Sequence, residues 1–174
     1  QPNTLLAVGR FTPTKSPEIL ILSFAEVLKV IPQAKLTIIG EGELLEATMN
    51  LAKALKIEKN ILLLGKQSPK EVKQQLAIAQ VFVQHSATTP LHQDREGTPV
   101  AIMEAMAAGL PIVSTRHAGI QELILHEKNG LLVDELDYKV MATEILKCLK
   151  NPEMGQKMGE NARNSIRNNP LIMN

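Results

Sequence analysis

The sequence predicts an α/β fold in which about six parallel strands form a sheet between two layers of helices. Short apolar runs alternate with longer amphipathic segments along the chain, as in repeated strand–helix–strand units. The runs also contain few polar residues, which is typical of parallel strands that are buried on both faces. In such sheets ligands bind outside the carboxyl ends of the strands.

Each expected strand is a short run rich in aliphatic residues. The six runs cover residues 5–8, 35–39, 61–64, 81–84, 111–114 and 130–133. Between and after them we expect seven helices. They cover residues 17–31, 44–55, 69–79, 99–108, 120–125, 138–150 and 152–167.

Local signals mark several helix ends. Ser16, Ser68 and Thr98 each precede a proline, and a hydroxyl before a proline is expected to cap a helix start. Gly109, followed two residues later by Pro111, is expected to end the fourth helix.

Composition excludes several classes of function. The 19 lysines and arginines balance 18 acidic residues, so no broad positive field would attract nucleic acid or anionic lipid. The single cysteine, Cys148, excludes an internal disulfide and a multi-thiolate zinc site. The longest apolar stretch, residues 100–113, is too short to cross a bilayer. We expect one soluble, cytoplasmic domain over residues 1–174, cut from a longer polypeptide.

The fourth helix carries a single ionisable group, Glu104. Every other residue from Val100 to Ala108 is apolar, and a helix that is apolar all round is expected to be buried. A buried carboxylate is costly without hydrogen-bond donors. We therefore expect Glu104 to have a partner, either a lysine or arginine of a neighbouring element or the paired hydroxyls of a ligand such as a ribose.

The residues just before this helix favour a ligand. Gly97 would let a ligand approach the backbone closely, while Thr98 and Pro99 would begin a helix with free amides. A helix start favours anions, so a phosphate or an oxygen-rich sugar is the expected occupant.

Two cations follow the first strand. The strand runs into Gly9 and Arg10, and Lys15 comes five residues later. This is neither the G-x-G-x-x-G pattern nor a Walker loop, so dinucleotide and ATP sites lose their main support. The cations are either solvated surface charges or a phosphate site, for which arginine offers a planar fork and lysine a mobile charge.

These segments resemble one known family. EGTPVAIME resembles the E-x7-E signature of retaining GT-B glycosyltransferases of family 4 (glycosyl transferases group 1), and VGRFTPTKSPEIL resembles their GR-x4-K element. The match covers residues 5–167 in the same order. It implies a Rossmann-like fold and the C-terminal, donor-binding half of a two-domain enzyme. Ser16 is a departure, because glycine often follows the lysine in this family.

The resemblance also implies roles for individual residues. Glu96 would contact the donor sugar, Glu104 the ribose, and Arg10 and Lys15 the diphosphate. The implied catalytic residues are Glu96, Arg10 and Lys15. The implied donor-binding residues are Gly9, Arg10, Lys15, Gly65, Lys66, Glu96, Gly97, Thr98, Pro99 and Glu104.

Other motif residues allow two interpretations. Gly40 and Gly42 form either a tight strand-to-helix turn or a ligand contact. His85, after the fourth strand, is either a general base or, as we favour, a hydrogen-bonded structural residue. The acids between Asp134 and Asp137 are not expected to face the diphosphate. Since no D-x-D motif lies beside the strands, we expect no metal and no cofactor, with fixed cations neutralising the leaving group.

The implied activity is that of a retaining, metal-independent hexosyltransferase. It would transfer a sugar from a UDP- or GDP-sugar to a glycan, lipid or small-molecule acceptor. The implied partner is the chain's own N-terminal domain, which could also contact a membrane peripherally. Without that domain the chain should bind nucleotide weakly and turn over nothing. The alternatives are a GT-B-like nucleotide-sugar epimerase and a catalytically inactive nucleotide-sugar-binding module.

Overall fold

A computed structural model of the chain describes residues 1–89 and 99–168. Its six strands are β1 (Thr4–Val8), β2 (Lys35–Ile39), β3 (Ile61–Gly65), β4 (Val81–Gln84), β5 (Ile112–Thr115) and β6 (Leu131–Val133). They form one parallel sheet in the order β3-β2-β1-β4-β5-β6. All six predicted strands are confirmed, with ends that differ from the prediction by at most one residue.

The helices follow the predicted order. They are α1 (Pro17–Val30), α2 (Leu45–Ala54), α3 (Pro69–Ile78), α4 (Val100–Ala108), α5 (Ile120–Leu123), α6 (Tyr138–Lys150) and α7 (Pro152–Arg167). Two short 3-10 helices, Pro13–Lys15 and Glu58–Asn60, were not predicted. Within the described residues, none of the helices combines the length and the apolar character that a membrane crossing requires.

The sheet separates two apolar cores, as the three-layer prediction requires. Alternate residues of a strand point to opposite faces, so Leu5 and Ala7 join one core while Leu6 joins the other. The first core packs α1 and α6 against the sheet, and the second packs α3 and α4. The predicted α/β/α fold is therefore confirmed.

The helix ends confirm some predicted caps and correct one. The Ser68 hydroxyl accepts the Glu71 N–H at 3.3 Å, and the Glu71 carboxylate accepts the Ser68 N–H at 2.9 Å. Gly109 ends α4 with a φ of 78°. The cap predicted for Ser16 is wrong: its hydroxyl donates to the Pro13 carbonyl at 2.8 Å. The reason is that Ser16 also ends the 3-10 helix before it.

The start of α4 differs slightly from the prediction. Pro99 precedes the helix instead of forming its first turn, and it makes no side-chain cap. Thr98, the predicted cap, lies outside the described residues.

The strand order creates a switch point between β1 and β4. From β1 the chain continues outward to β2 and β3, whereas from β4 it continues in the opposite direction to β5 and β6. In open α/β sheets a crevice forms outside the carboxyl ends of the strands at such a point. The loops that follow β1 and β4 therefore define the place where a ligand is expected.

Candidate functional site

The turn after β1 rests directly on the turn after β2. The Gly9 N–H donates to the Ile39 carbonyl at 3.0 Å, and the Phe11 N–H donates to the Glu41 carbonyl at 2.9 Å. A Cβ atom on Gly40 would lie 1.8 Å from the Gly9 oxygen. A Cβ atom on Gly42 would lie 2.4 Å from the Phe11 oxygen. The glycines are therefore needed for close packing of two backbones, which supports the turn interpretation.

The two predicted cations lie at the carboxyl end of β1. Arg10 is exposed, and Lys15 ends the 3-10 helix that follows. A Cβ atom on Gly9 would lie 3.6 Å from Cε of Lys15, so the lysine side chain runs alongside Gly9. Both cations line one small pocket with Gln84 and His85. The structure thus brings Gly9, Arg10 and Lys15 together at the switch point.

The turn after β3 continues the same edge of the sheet. The Gly65 carbonyl accepts the Gly40 N–H at 2.9 Å, which connects it through Gly40 to Gly9. Gly65 has a φ of 65°, and the Lys66 side chain is exposed. The Gln67 side chain is held locally, because its amide donates to the Leu64 carbonyl at 2.5 Å.

His85 is a structural residue in this arrangement. Its side chain is buried, and Nε2 accepts the Leu136 N–H at 3.0 Å. Burial lowers the pKa of His85 to about 4, against the opposing effects of a backbone hydrogen bond with Lys15 and the charge of Glu135. Among the described residues, Nδ1 has no partner within ordinary hydrogen-bonding limits. A neutral ring whose Nε2 is already engaged favours the structural interpretation.

A second group of residues at this edge was not predicted. Nδ1 of His117, after β5, lies 2.6 Å from Oε1 of Glu135, after β6. Oε2 of Glu135 accepts the Thr88 N–H at 2.9 Å. Burial alone would raise the pKa of Glu135, but hydrogen bonds from Thr88 and His117 outweigh it and leave the pKa below its usual value. Glu135 is therefore a carboxylate at neutral pH.

This group connects the loop after β6 to the pocket that the two cations line. Glu135 binds the loop after β4, and the amide of the next residue, Leu136, binds His85 in the pocket with Lys15. The sequence carries one weak signal of it, since His117 is a polar residue two positions after a buried strand.

Glu104 is exposed, so the prediction of a buried carboxylate is wrong. Helix α4 buries Ile102, Ala105 and Met106, whereas Val100 is 62% exposed. Small and aliphatic residues are common on protein surfaces, so an all-apolar composition did not require burial on every side. Within residues 1–89 and 99–168, Glu104 forms no ion pair.

The remaining predicted residues lie before α4. Glu96, Gly97 and Thr98 are outside the described residues, and Pro99 immediately precedes the helix. In the described part of the chain, no three histidine, cysteine, aspartate or glutamate side chains are grouped so that they could hold a metal ion.

Comparison with known proteins extends this picture. The pattern of the family Glycosyl transferases group 1 matches residues 1–165. Amylovoran biosynthesis glycosyltransferase AmsK of Erwinia amylovora is 39% identical over 152 residues, which cover 84% of this chain and 36% of that protein. N-acetyl-alpha-D-glucosaminyl L-malate synthase of Bacillus anthracis is 32% identical over 162 residues, which cover 93% of this chain and 40% of that protein. The chain thus spans less than half the length of these relatives.

A solved structure shares the fold. The crystal structure of HepE from Anabaena in complex with UDP-glucose has a TM-score of 0.84 and 24% sequence identity, and the match covers 95% of this chain and 44% of that chain. The match to the family pattern over nearly the whole chain, together with this fold, shows that the chain belongs to the glycosyl transferases group 1, of the GT-B type.

Proposed function

We propose that this chain is the donor-binding domain of a retaining glycosyltransferase, which transfers a sugar from a nucleoside diphosphate sugar to an acceptor. The observation that carries the proposal is the placement of Arg10 and Lys15 together beside Gly9 at the switch point of the sheet. Two cations next to a glycine backbone suit the two phosphates of such a donor.

The proposed chemistry depends on these cations. When the bond between the sugar and the diphosphate breaks, negative charge grows on the departing phosphate oxygens. Positive groups fixed beside those oxygens stabilise the transition state more than the ground state. Arg10 offers paired N–H donors, and Lys15 is held alongside Gly9. The proposed mechanism therefore requires no metal ion.

Further donor contacts are proposed from the family resemblance. The exposed carboxylate of Glu104 can accept hydrogen bonds from the two ribose hydroxyls. Glu96 is proposed to contact the sugar, with the amides of Gly97 and Thr98 near the diphosphate and Pro99 beside them. Gly65 and Lys66 are proposed to contact the base, since the Gly65 turn adjoins the Gly40 turn.

The proposal assigns the acceptor to another part of the protein. The chain spans 36–40% of the length of the relatives compared above. We propose that an N-terminal domain binds the acceptor and closes over the donor. Residues 1–174 alone should then bind nucleotide weakly and transfer no sugar.

Isothermal titration calorimetry with UDP, GDP and ADP tests the donor site. We expect one of the three to bind and Lys15→Ala to weaken its binding by about 10- to 100-fold, the effect of losing a hydrogen bond between charged groups. The matched control is Lys35→Ala, because Lys35 is exposed and lies at the amino end of β2, on the side of the sheet opposite to the carboxyl ends of the strands. No binding by any nucleotide, or equal losses in both variants, would refute the site.

A further inference from the structure

Side chains from the end of β5 and from the turn after β6 form hydrogen bonds to the loop after β4. The Thr115 hydroxyl at the end of β5 donates to the Ser86 carbonyl at 2.6 Å and accepts the Ser86 N–H at 3.1 Å. Glu135, after β6, accepts the Thr88 N–H at 2.9 Å. The end of β5 and the turn after β6 thus hold the loop at two points along its length.

The same loop contacts the turn that carries Lys15. The Ala87 N–H, between those two points, donates to the Thr14 carbonyl at 2.8 Å. The His85 side chain, at the start of the same loop, lines the pocket together with Lys15. A displacement of the loop would therefore be transmitted to the Thr14 carbonyl, which is bonded directly to the Lys15 nitrogen.

The contacts of Glu135 are those of a hydrogen-bond acceptor. The Thr88 N–H is a donor, and an ionised Glu135 can pair with His117 only if Nδ1 of that ring carries a hydrogen. A carboxylate accepts from both donors, whereas a glutamine amide could accept from only one of them and would need the other tautomer of His117 to pair with its ring. The buried His117 ring, 1% exposed, leaves little room for a different arrangement.

We infer that Glu135 is a positioning residue for the diphosphate-binding turn: through Thr88 and His117 it fixes the loop after β4, against which the Lys15 turn rests. This inference rests on the proposed function. It assigns to the loop after β6 a part in donor binding without direct contact to the donor.

A double-mutant cycle in the full-length protein tests the inference. We expect Glu135→Gln to weaken the binding of UDP or GDP, whichever binds the wild type, by about tenfold in calorimetry. In a Lys15→Ala background the same change should weaken binding less than twofold, because it acts through Lys15. Asp134→Asn is the control, since that neighbouring side chain is 83% exposed, and it should leave affinity unchanged.

Variants of His117 provide an independent measurement if Glu135→Gln fails to fold. Asparagine can place an N–H close to the position of Nδ1, so His117→Asn should keep nearly wild-type affinity, whereas His117→Ala should lose it about as Glu135→Gln does. Losses that add in full with Lys15→Ala, or unchanged affinity in Glu135→Gln, would overturn the inference alone. Failure of the wild type to bind any nucleoside diphosphate would refute the proposed function and this inference with it.

Discussion

The guanidinium of Arg163 in α7 donates a 2.5 Å hydrogen bond to the carbonyl of Ala108 at the end of α4. It also donates to the Ala107 carbonyl at 3.2 Å. The last carbonyls of a helix lack partners within it, so Arg163 caps α4 from outside.

We expect Arg163→Ala to lower the free energy of unfolding by about 1–3 kcal/mol, because two carbonyls lose a charged donor. Arg167→Ala, one turn later on an exposed position, should change it by less than about 0.5 kcal/mol. Urea unfolding followed by circular dichroism measures both. Equal costs for the two variants would show that the cap contributes nothing.

Two glycines of α7 differ in the space beside them. A Cβ atom on Gly159 would lie 2.0 Å from the Gly109 oxygen, whereas one on Gly155 would lie 3.5 Å from its nearest neighbour, Cγ of Pro111. Gly159→Ala should therefore cost about 1–3 kcal/mol or more by overpacking. Gly155→Ala should stabilise the protein by about 0.5–1 kcal/mol through helix propensity. Thermal unfolding of the two variants measures both effects. A Gly159→Ala protein as stable as the wild type would contradict the close packing of α7 on α4.

Gly40→Ala should disturb donor binding through the neighbouring turn. The new Cβ atom would lie 1.8 Å from the Gly9 oxygen, so the backbone next to Arg10 must move. We expect nucleoside diphosphate affinity to fall at least about tenfold in calorimetry. Gly65 also has a positive φ, 65°, but its Cβ atom would have no neighbour within 4 Å, so Gly65→Ala should lose less affinity. Equal losses of affinity in the two variants would indicate that backbone strain, and not displacement of the turn next to Arg10, causes the effect.

Stability should fall as the pH decreases from about 6.5 towards 4. Burial lowers the pKa of His85 from 6.5 to about 4, so the folded protein resists a proton that the unfolded chain accepts. The contribution of His85 to the free energy of unfolding is fully present above pH 6.5. It decreases below that pH, and about 3 kcal/mol of it is lost by pH 4. The lowered pKa of Glu135 acts in the same direction, since its stabilisation is lost as pH falls through that pKa.

The variant His85→Gln isolates the histidine contribution, because its amide oxygen can still accept the Leu136 N–H. Urea unfolding at several pH values from 7 to 4 should give a flatter profile for this variant than for the wild type. The other histidines are common to both proteins and cancel in the difference. Parallel profiles would mean that His85 does not resist protonation.

Ala118→Gly should stabilise the protein. Ala118 has a φ of 37°, in the left-handed region that costs a residue with a Cβ atom about 1–2 kcal/mol. Part of that gain is offset by the greater freedom of glycine in the unfolded chain, so we expect a net gain of about 0.5–1 kcal/mol. Ala107→Gly on the exposed side of α4 should cost a similar amount. A loss of stability in both variants would argue that Ala118 is unstrained.

The regular elements could be predicted because their apolar periodicity extends over several residues. Strands such as β2 are entirely made of one recognisable run, and α6 was predicted with its observed ends. The 3-10 helix Pro13–Lys15 is too short to show a period. The error at Ser16 has the same origin, since one residue ends that helix and also precedes α1.

The candidate site was predictable where its residues follow a strand directly. Gly9 and Arg10 follow β1, so any parallel sheet places them at the carboxyl edge. The pairing of Thr88 with Glu135 joins residues 47 positions apart and depends on the order of β4, β5 and β6, which apolar patterns do not encode. The prediction that Glu104 is buried was wrong because composition does not say which side of a helix the sheet covers.

The hydration of the Glu104 carboxylate has a consequence for sequence variation. The free protein neither loses solvation at this side chain nor depends on it for packing, so exchanging it leaves the fold intact. Selection for folding cannot act on such a position. A restriction on residue 104 among relatives would therefore indicate a contact with a ligand or with another part of the protein.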